Sequence, residues 1–131
     1  MYEFDGWISI RMSPDPQDET DSSGVIAQIQ EWLNAIPEYG SCIAEWHVLN
    51  GSDLVVVQGL LNRPRGIDTA LGNLYARVGA AAPGSYGLLY ALDNDVQQDF
   101  TVLVLCRGKV EPQTDPFFSP FVPMVEDPDE L

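Results

Sequence analysis

The sequence predicts an α+β fold, a mostly antiparallel sheet of about five strands with two helices on one face. Stretches that alternate apolar and polar residues mark strands, and two apolar stripes at helical spacing mark helices. In order along the chain they read β-α-β-β-α-β-β.

Phe4 to Met12 is the first strand, with Ile8, Ile10 and Met12 on one face and Trp7, Ser9 and Arg11 on the other. The Pro-, Asp- and Ser-rich stretch from Ser13 to Asp21 is a loop, and Asp21, Ser22 and Ser23 offer side-chain oxygens to cap the next helix. Val25, Ile26, Ile29, Trp32, Leu33 and Ile36 form one stripe on a helix over 23–35, ended by Pro37, which lacks a donor. Cys42 to Leu49 alternates again, and Asn50-Gly51 predicts a tight hairpin because both residues tolerate positive φ. The return strand, Leu54 to Leu61, is almost continuously apolar, which points to burial on both faces or a central place in the sheet.

After the loop Asn62-Arg63-Pro64-Arg65-Gly66, a second helix carries Ile67, Leu71, Leu74, Tyr75 and Val78 on one face and stops at Pro83-Gly84. Ser85 to Leu92 and Phe100 to Val110 then form a hairpin across the acidic loop Asp93 to Asp99. Beyond Pro112, the prolines 116, 120, 123 and 128 exclude helix and central strand, so the tail is an extended coat. Phe117, Phe118 and Phe121 are expected to hold it against the domain as far as Val125. The arrangement is related to the ferredoxin-like one with an added strand.

A length of 131 residues suits one domain, placed at 1–125, with 126–131 as a solvated acidic terminus. The apolar fraction of 45% is enough for a packed core. Twenty Asp and Glu against six Lys and Arg give a net charge of -14. Such a field repels phosphate backbones and anionic membranes and draws in a basic protein. The start, MYEFDGWISI, has acidic residues where a signal peptide needs basic ones, and no run approaches the ~20 apolar residues of a membrane span. Cys42 and Cys106 lie in apolar strand-like segments and read as buried thiols of a reducing compartment, so the cytoplasm is the expected location.

Chemistry is sparse. His47, the one histidine, lies on a predicted strand about 16 Å from Cys42, too far for a nucleophile–base pair. Two cysteines and one histidine lack the paired spacing of a zinc site. Asp93, Asp95 and Asp99 resemble the start of a calcium loop, but glycine is missing from its sixth position and Val104 stands at its twelfth. There is no phosphate-binding loop, dinucleotide fingerprint or nucleophile elbow. No catalytic residue, metal or cofactor is expected. The acidic residues gather instead at Asp15 to Asp21, Asp93 to Asp99, Glu111 to Asp115 and Glu126 to Glu130.

FDGWISIR (Phe4 to Arg11), GLLNRPRG (Gly59 to Gly66), APGSYGLLYALDND (Ala82 to Asp95), FTVLVLCRGKV (Phe100 to Val110) and DPFFSPFVPMVED (Asp115 to Asp127) together resemble the immunity protein 7 family, bacterial immunity proteins of polymorphic and contact-dependent toxins. The resemblance implies neutralisation of a cognate toxin by tight binding, without catalysis or cofactor. It also implies that the recurring residues are scaffold: Trp7 and Tyr86 as core anchors, Gly87 and Gly108 as backbone necessities, and the tail with Pro116 and Pro120 as a clasp. The expected toxin contacts are the acidic loops, through Asp15, Asp18, Glu19, Asp93, Asp95 and Asp99, with Arg63 and Arg65 beside them. Two other readings stay open on the residues alone: a regulatory adaptor for another basic protein, and a small carboxylate-dependent enzyme.

Overall fold

The computed structural model describes residues 1–15, 17, 21–36, 42–97 and 99–117. Asp18, Glu19, Pro37, Phe118, Pro120, Phe121 and the rest of the tail, to which the sequence assigns roles, lie outside them, while Phe117, expected to pack against the domain, is instead 79% exposed. The elements are β1 (Tyr2–Ser9), α1 (Ser23–Asn34), β2 (Cys42–Leu49), β3 (Ser52–Leu61), α2 (Ile67–Ala81), β4 (Tyr86–Asp93), β5 (Thr101–Cys106) and β6 (Lys109–Thr114).

The strands form one antiparallel sheet in the order β2-β3-β1-β4-β5-β6. Its first four strands with the two helices make the split β-α-β arrangement, in which α1 carries the chain past β3 and α2 carries it past β1. The β5-β6 hairpin extends the sheet beyond β4. β1 is central, bonded to β3 and β4 along its whole length.

The sixth strand corrects the expectation of five. The chain does not run straight through Phe100 to Val110 but reverses at Arg107 (φ 54°) and Gly108 (φ 76°), so that Cys106 faces Lys109. Both turn residues have positive φ, the pairing that matches the twist of a tight hairpin and that Gly108 adopts without steric cost. Pro112 then lies in an edge strand opposite Leu103. An edge strand tolerates the missing donor, and the sequence reading excluded only central strands.

Alternation assigns the faces. Phe4 and Ile8 of β1, Val55 and Val57 of β3 and Leu89 of β4 are buried under the helices, joined in one cluster with Ile26, Ile29 and Leu33 of α1. From α2 the cluster takes Ile67, Leu71, Leu74, Tyr75 and Val78, the whole stripe expected from the sequence. Each buried Leu, Ile or Val contributes about 1.5–3 kcal/mol, so this stripe is what docks α2. The α1 cap comes from outside the helix: the Asp21 carboxylate accepts from the Ser23 amide at 2.9 Å, which lowers its pKa, while the Ser22 side chain makes no cap bond.

Candidate functional site

Strand register decides which of the expected contact residues meet. Tyr2, at the start of β1, faces Leu61 at the end of β3 and Asp93 at the end of β4. The loops that leave those ends therefore emerge together, bringing Asp93, Asp95 and Asp99 to the same end of the sheet as Arg63 and Arg65. Asp15 follows the other end of β1, where Ser9 faces Tyr86 and Leu54. Eight strand residues separate the two ends by about 23 Å, so Asp15 does not share a patch with Asp93.

The acidic loop is built by its own side chains. The Asp93 carboxylate accepts from the Asp95 amide at 3.2 Å, and the Asp93 carbonyl accepts from Val96 and Gln97. The Gln97 amide nitrogen bridges the Asp99 carbonyl (2.8 Å) and the Thr101 hydroxyl (3.1 Å). Asp95 pairs with the Met1 ammonium at 2.9 Å, an exposed pair that contributes at most about 1 kcal/mol. Asp68, in the first turn of α2, adds a carboxylate to this end that the sequence reading did not assign. Its effect is visible at Tyr2, whose phenol is pushed up to about 12 first by burial and then by Asp68 and Asp93. A helix start directly after Arg65-Gly66 was the available signal for Asp68.

The opposite end of the sheet holds a different surface. Trp7 and Tyr86 are not core anchors: they stand on the face the helices leave open, 39% and 42% exposed. β1 alternates, and the helices cover the Phe4 and Ile8 side, so Trp7 must point away. The two rings meet edge to face at 5.8 Å, and the Arg11 guanidinium lies 5.8 Å from the Tyr86 ring centre. The Ser85 hydroxyl, fully buried, accepts from the Arg11 amide at 3.0 Å and fixes the end of β1 against the start of β4. Gly87 is buried between them, where a β-carbon would run into the Trp7 carbonyl. Beside this cluster lies a cavity of about 280 Å³ lined by Arg11, Pro14, Ser85, Tyr86, Cys106 and Arg107.

His47 is exposed on an edge strand, its Nε2 2.9 Å from a Glu45 carboxylate oxygen. Among the described residues no group of three or more His, Cys, Asp or Glu could hold a metal ion. Cys106 is exposed rather than buried, because the register puts it on the open face at the end of β5, and Cys42 is half-buried on β2. Four strand spacings of about 4.8 Å separate β2 from β5, far beyond disulfide reach. The described residues form two chemically distinct surfaces, a charged end rich in carboxylates and an aromatic, cationic corner.

No curated protein sequence matches the chain. Among solved structures, a phage SAM lyase in complex with S-methyl-5'-thioadenosine aligns with 88% of this chain and 92% of its own, at 11% identity and a TM-score of 0.38. The sequence pattern of the family described as immunity protein 7 matches residues 1–127, from the first strand through the Pro-rich tail, and the chain belongs to that family.

Proposed function

We propose that this immunity protein neutralises a cognate bacterial toxin, of a contact-dependent or other polymorphic system, by direct stoichiometric binding in the cytoplasm and without catalysis. The toxin is basic, and the acidic surface covers an active site made to hold phosphates, as in a nuclease. The observation that carries the reading is the charge: -14 in 131 residues, with Asp68, Asp93, Asp95 and Asp99 brought to one end of the sheet. Carboxylates held on a folded scaffold can occupy a groove that would otherwise take a phosphate backbone, and the long-range field speeds encounter. No helix among the described residues is long and apolar enough to cross a membrane.

Mixing the purified chain with the toxin domain encoded beside it tests the reading. A 1:1 complex at low salt, weakening as salt rises, with toxin activity titrated to zero at equivalence, is the expected result. No complex at low salt overturns it.

A further inference from the structure

The cationic side chains are distributed in a way the net charge does not explain. Of the six Lys and Arg, three gather at one corner: Arg11 at the end of β1, Arg107 in the β5-β6 turn and Lys109 opposite Cys106. Among the described residues none of the three makes an ion pair, although the chain carries twenty carboxylates. The same corner presents Trp7 and Tyr86, both exposed on the open face, and that face continues to the exposed Leu60 of β3.

We infer that this corner is the anchoring point of the toxin, and that it receives an acidic side chain of the toxin flanked by apolar ones. The inference rests on the proposed neutralisation and names its contact.

Residue type, preorganisation and charge all point to this contact. Trp, Tyr and Arg are the residue types in which interface binding energy concentrates, since they bury large rigid areas while keeping a polar handle. Here they are held before any partner arrives, by the edge-to-face contact, by the guanidinium over Tyr86 and by the Ser85 bond to the Arg11 backbone. Little side-chain freedom then remains to be lost on binding. Charge specifies the complement: among the described residues two guanidinium groups and no carboxylate line the cavity, and a carboxylate forms charge-assisted hydrogen bonds with such a pair. At about 280 Å³ the cavity has room for one or two entering side chains.

The corner and the acidic end have separate duties. Charges on the rim govern association, whereas buried aromatic and arginine contacts govern dissociation. The test is the full chain against the inactivated toxin domain encoded beside it, with association and dissociation rates measured for Trp7→Ala, Arg107→Glu, Arg107→Lys and, as a control on the outer face of α1, Gln28→Ala.

Trp7→Ala and Arg107→Glu are expected to weaken binding at least tenfold, mainly by faster dissociation; Arg107→Glu leaves the melting temperature unchanged, whereas Trp7→Ala lowers it by a few degrees through the lost edge-to-face contact with Tyr86. Arg107→Lys should retain most of the affinity, and Gln28→Ala all of it. If the wild-type chain binds and both Trp7→Ala and Arg107→Glu bind equally well, the anchor is elsewhere and neutralisation stands. If the wild-type chain does not bind at all, neutralisation by binding and this anchor fall together.

Discussion

Tyr75 of α2 lies across Gly6 of β1, in the space that any other side chain at position 6 would fill. A β-carbon on Gly6 would overlap the Tyr75 hydroxyl and sit 2.7 Å from the Leu88 carbonyl oxygen. That hydroxyl donates to the Leu88 carbonyl at 2.8 Å, and burial pushes its pKa far above the ordinary phenol value. The helix is thus seated on the central strand by one hydrogen bond and one missing side chain. Gly6→Ala should destabilise the fold by about 2–4 kcal/mol through overpacking, and Tyr75→Phe by about 1–2 kcal/mol through the lost bond. Their double mutant should lose less than the sum, since removing the hydroxyl relieves one of the clashes. Urea unfolding of the three variants checks this, and strict additivity would show that the two residues do not share the space.

Asp115 is the buried carboxylate of the described chain, 1% exposed at the end of β6. Its Oδ2 accepts from the Phe117 amide at 3.1 Å, its own amide donates to the Phe100 carbonyl at 3.0 Å, and it takes a hydrogen bond from Tyr90. The Tyr90 phenol is raised, first by desolvation and then by Asp115. Asp115→Ala should cost about 1–2 kcal/mol, because it takes the acceptor from the part-buried Phe117 amide and returns the Tyr90 hydroxyl to water. Asp115→Ala in a Tyr90→Phe background should cost less. Hydrogen exchange should locate the loss in β5 and β6, and protection unchanged there would remove Asp115 from its role.

Legibility followed how local each determinant was. The α2 stripe from Ile67 to Val78 and the Asn50-Gly51 hairpin are set by neighbours in sequence, and the structure keeps both, with φ of 51° and 77° in the turn. The β5-β6 turn was hidden because Arg107 is not a typical turn residue, so the segment read as one long strand ended by Pro112. Trp7 and Tyr86 show the deeper limit. Alternation divides a strand into two faces but does not say which one the helices cover, and the family resemblance marks recurring residues such as these as scaffold without placing them on a face. The acidic end was legible in its residues and not in its grouping: only the pairing of Tyr2 with Leu61 and Asp93 brings Asp93 and Asp95 to Arg63 and separates them from Asp15.

Tyr2 makes stability depend on pH at the alkaline end. Its phenol is pushed up from 10.0 to about 12, by burial and by Asp68 and Asp93, so the folded state keeps a proton that the unfolded chain releases. A folded-state pKa above the unfolded one gives a stabilising contribution that is fully present below pH 10 and is lost as pH rises toward about 12. Tyr75 shifts in the same direction and adds to the slope. Stability should therefore be flat in this respect between pH 7 and 9 and fall above pH 10 by up to about 1.4 kcal/mol per pH unit for each phenol. Tyr2→Phe should flatten part of that fall in denaturant titrations. An identical slope in wild type and variant would assign the alkaline loss to other groups.

Asp93, Asp95 and Asp99 distinguish steering from contact in the proposed neutralisation. Asp95 pairs with the Met1 ammonium and Asp93 accepts within its own turn, both solvent-exposed, so against the toxin's phosphate-binding groove they act as hydrated rim charges. What they supply at a distance is field, and a field acts on encounter more than on the bound state. Reversal of all three to Lys changes the net charge from -14 by six units, to -8, and places the change on one loop. The expected outcome is association with the toxin slowed by one to two orders of magnitude at low salt, a smaller effect at about 0.5 M salt where the Debye length falls below 5 Å, and a dissociation rate changed by less than about threefold. Stopped-flow association across a salt series measures this. If association is unchanged while dissociation quickens, the loop is a direct contact, and the division between a steering end and an anchoring corner is wrong.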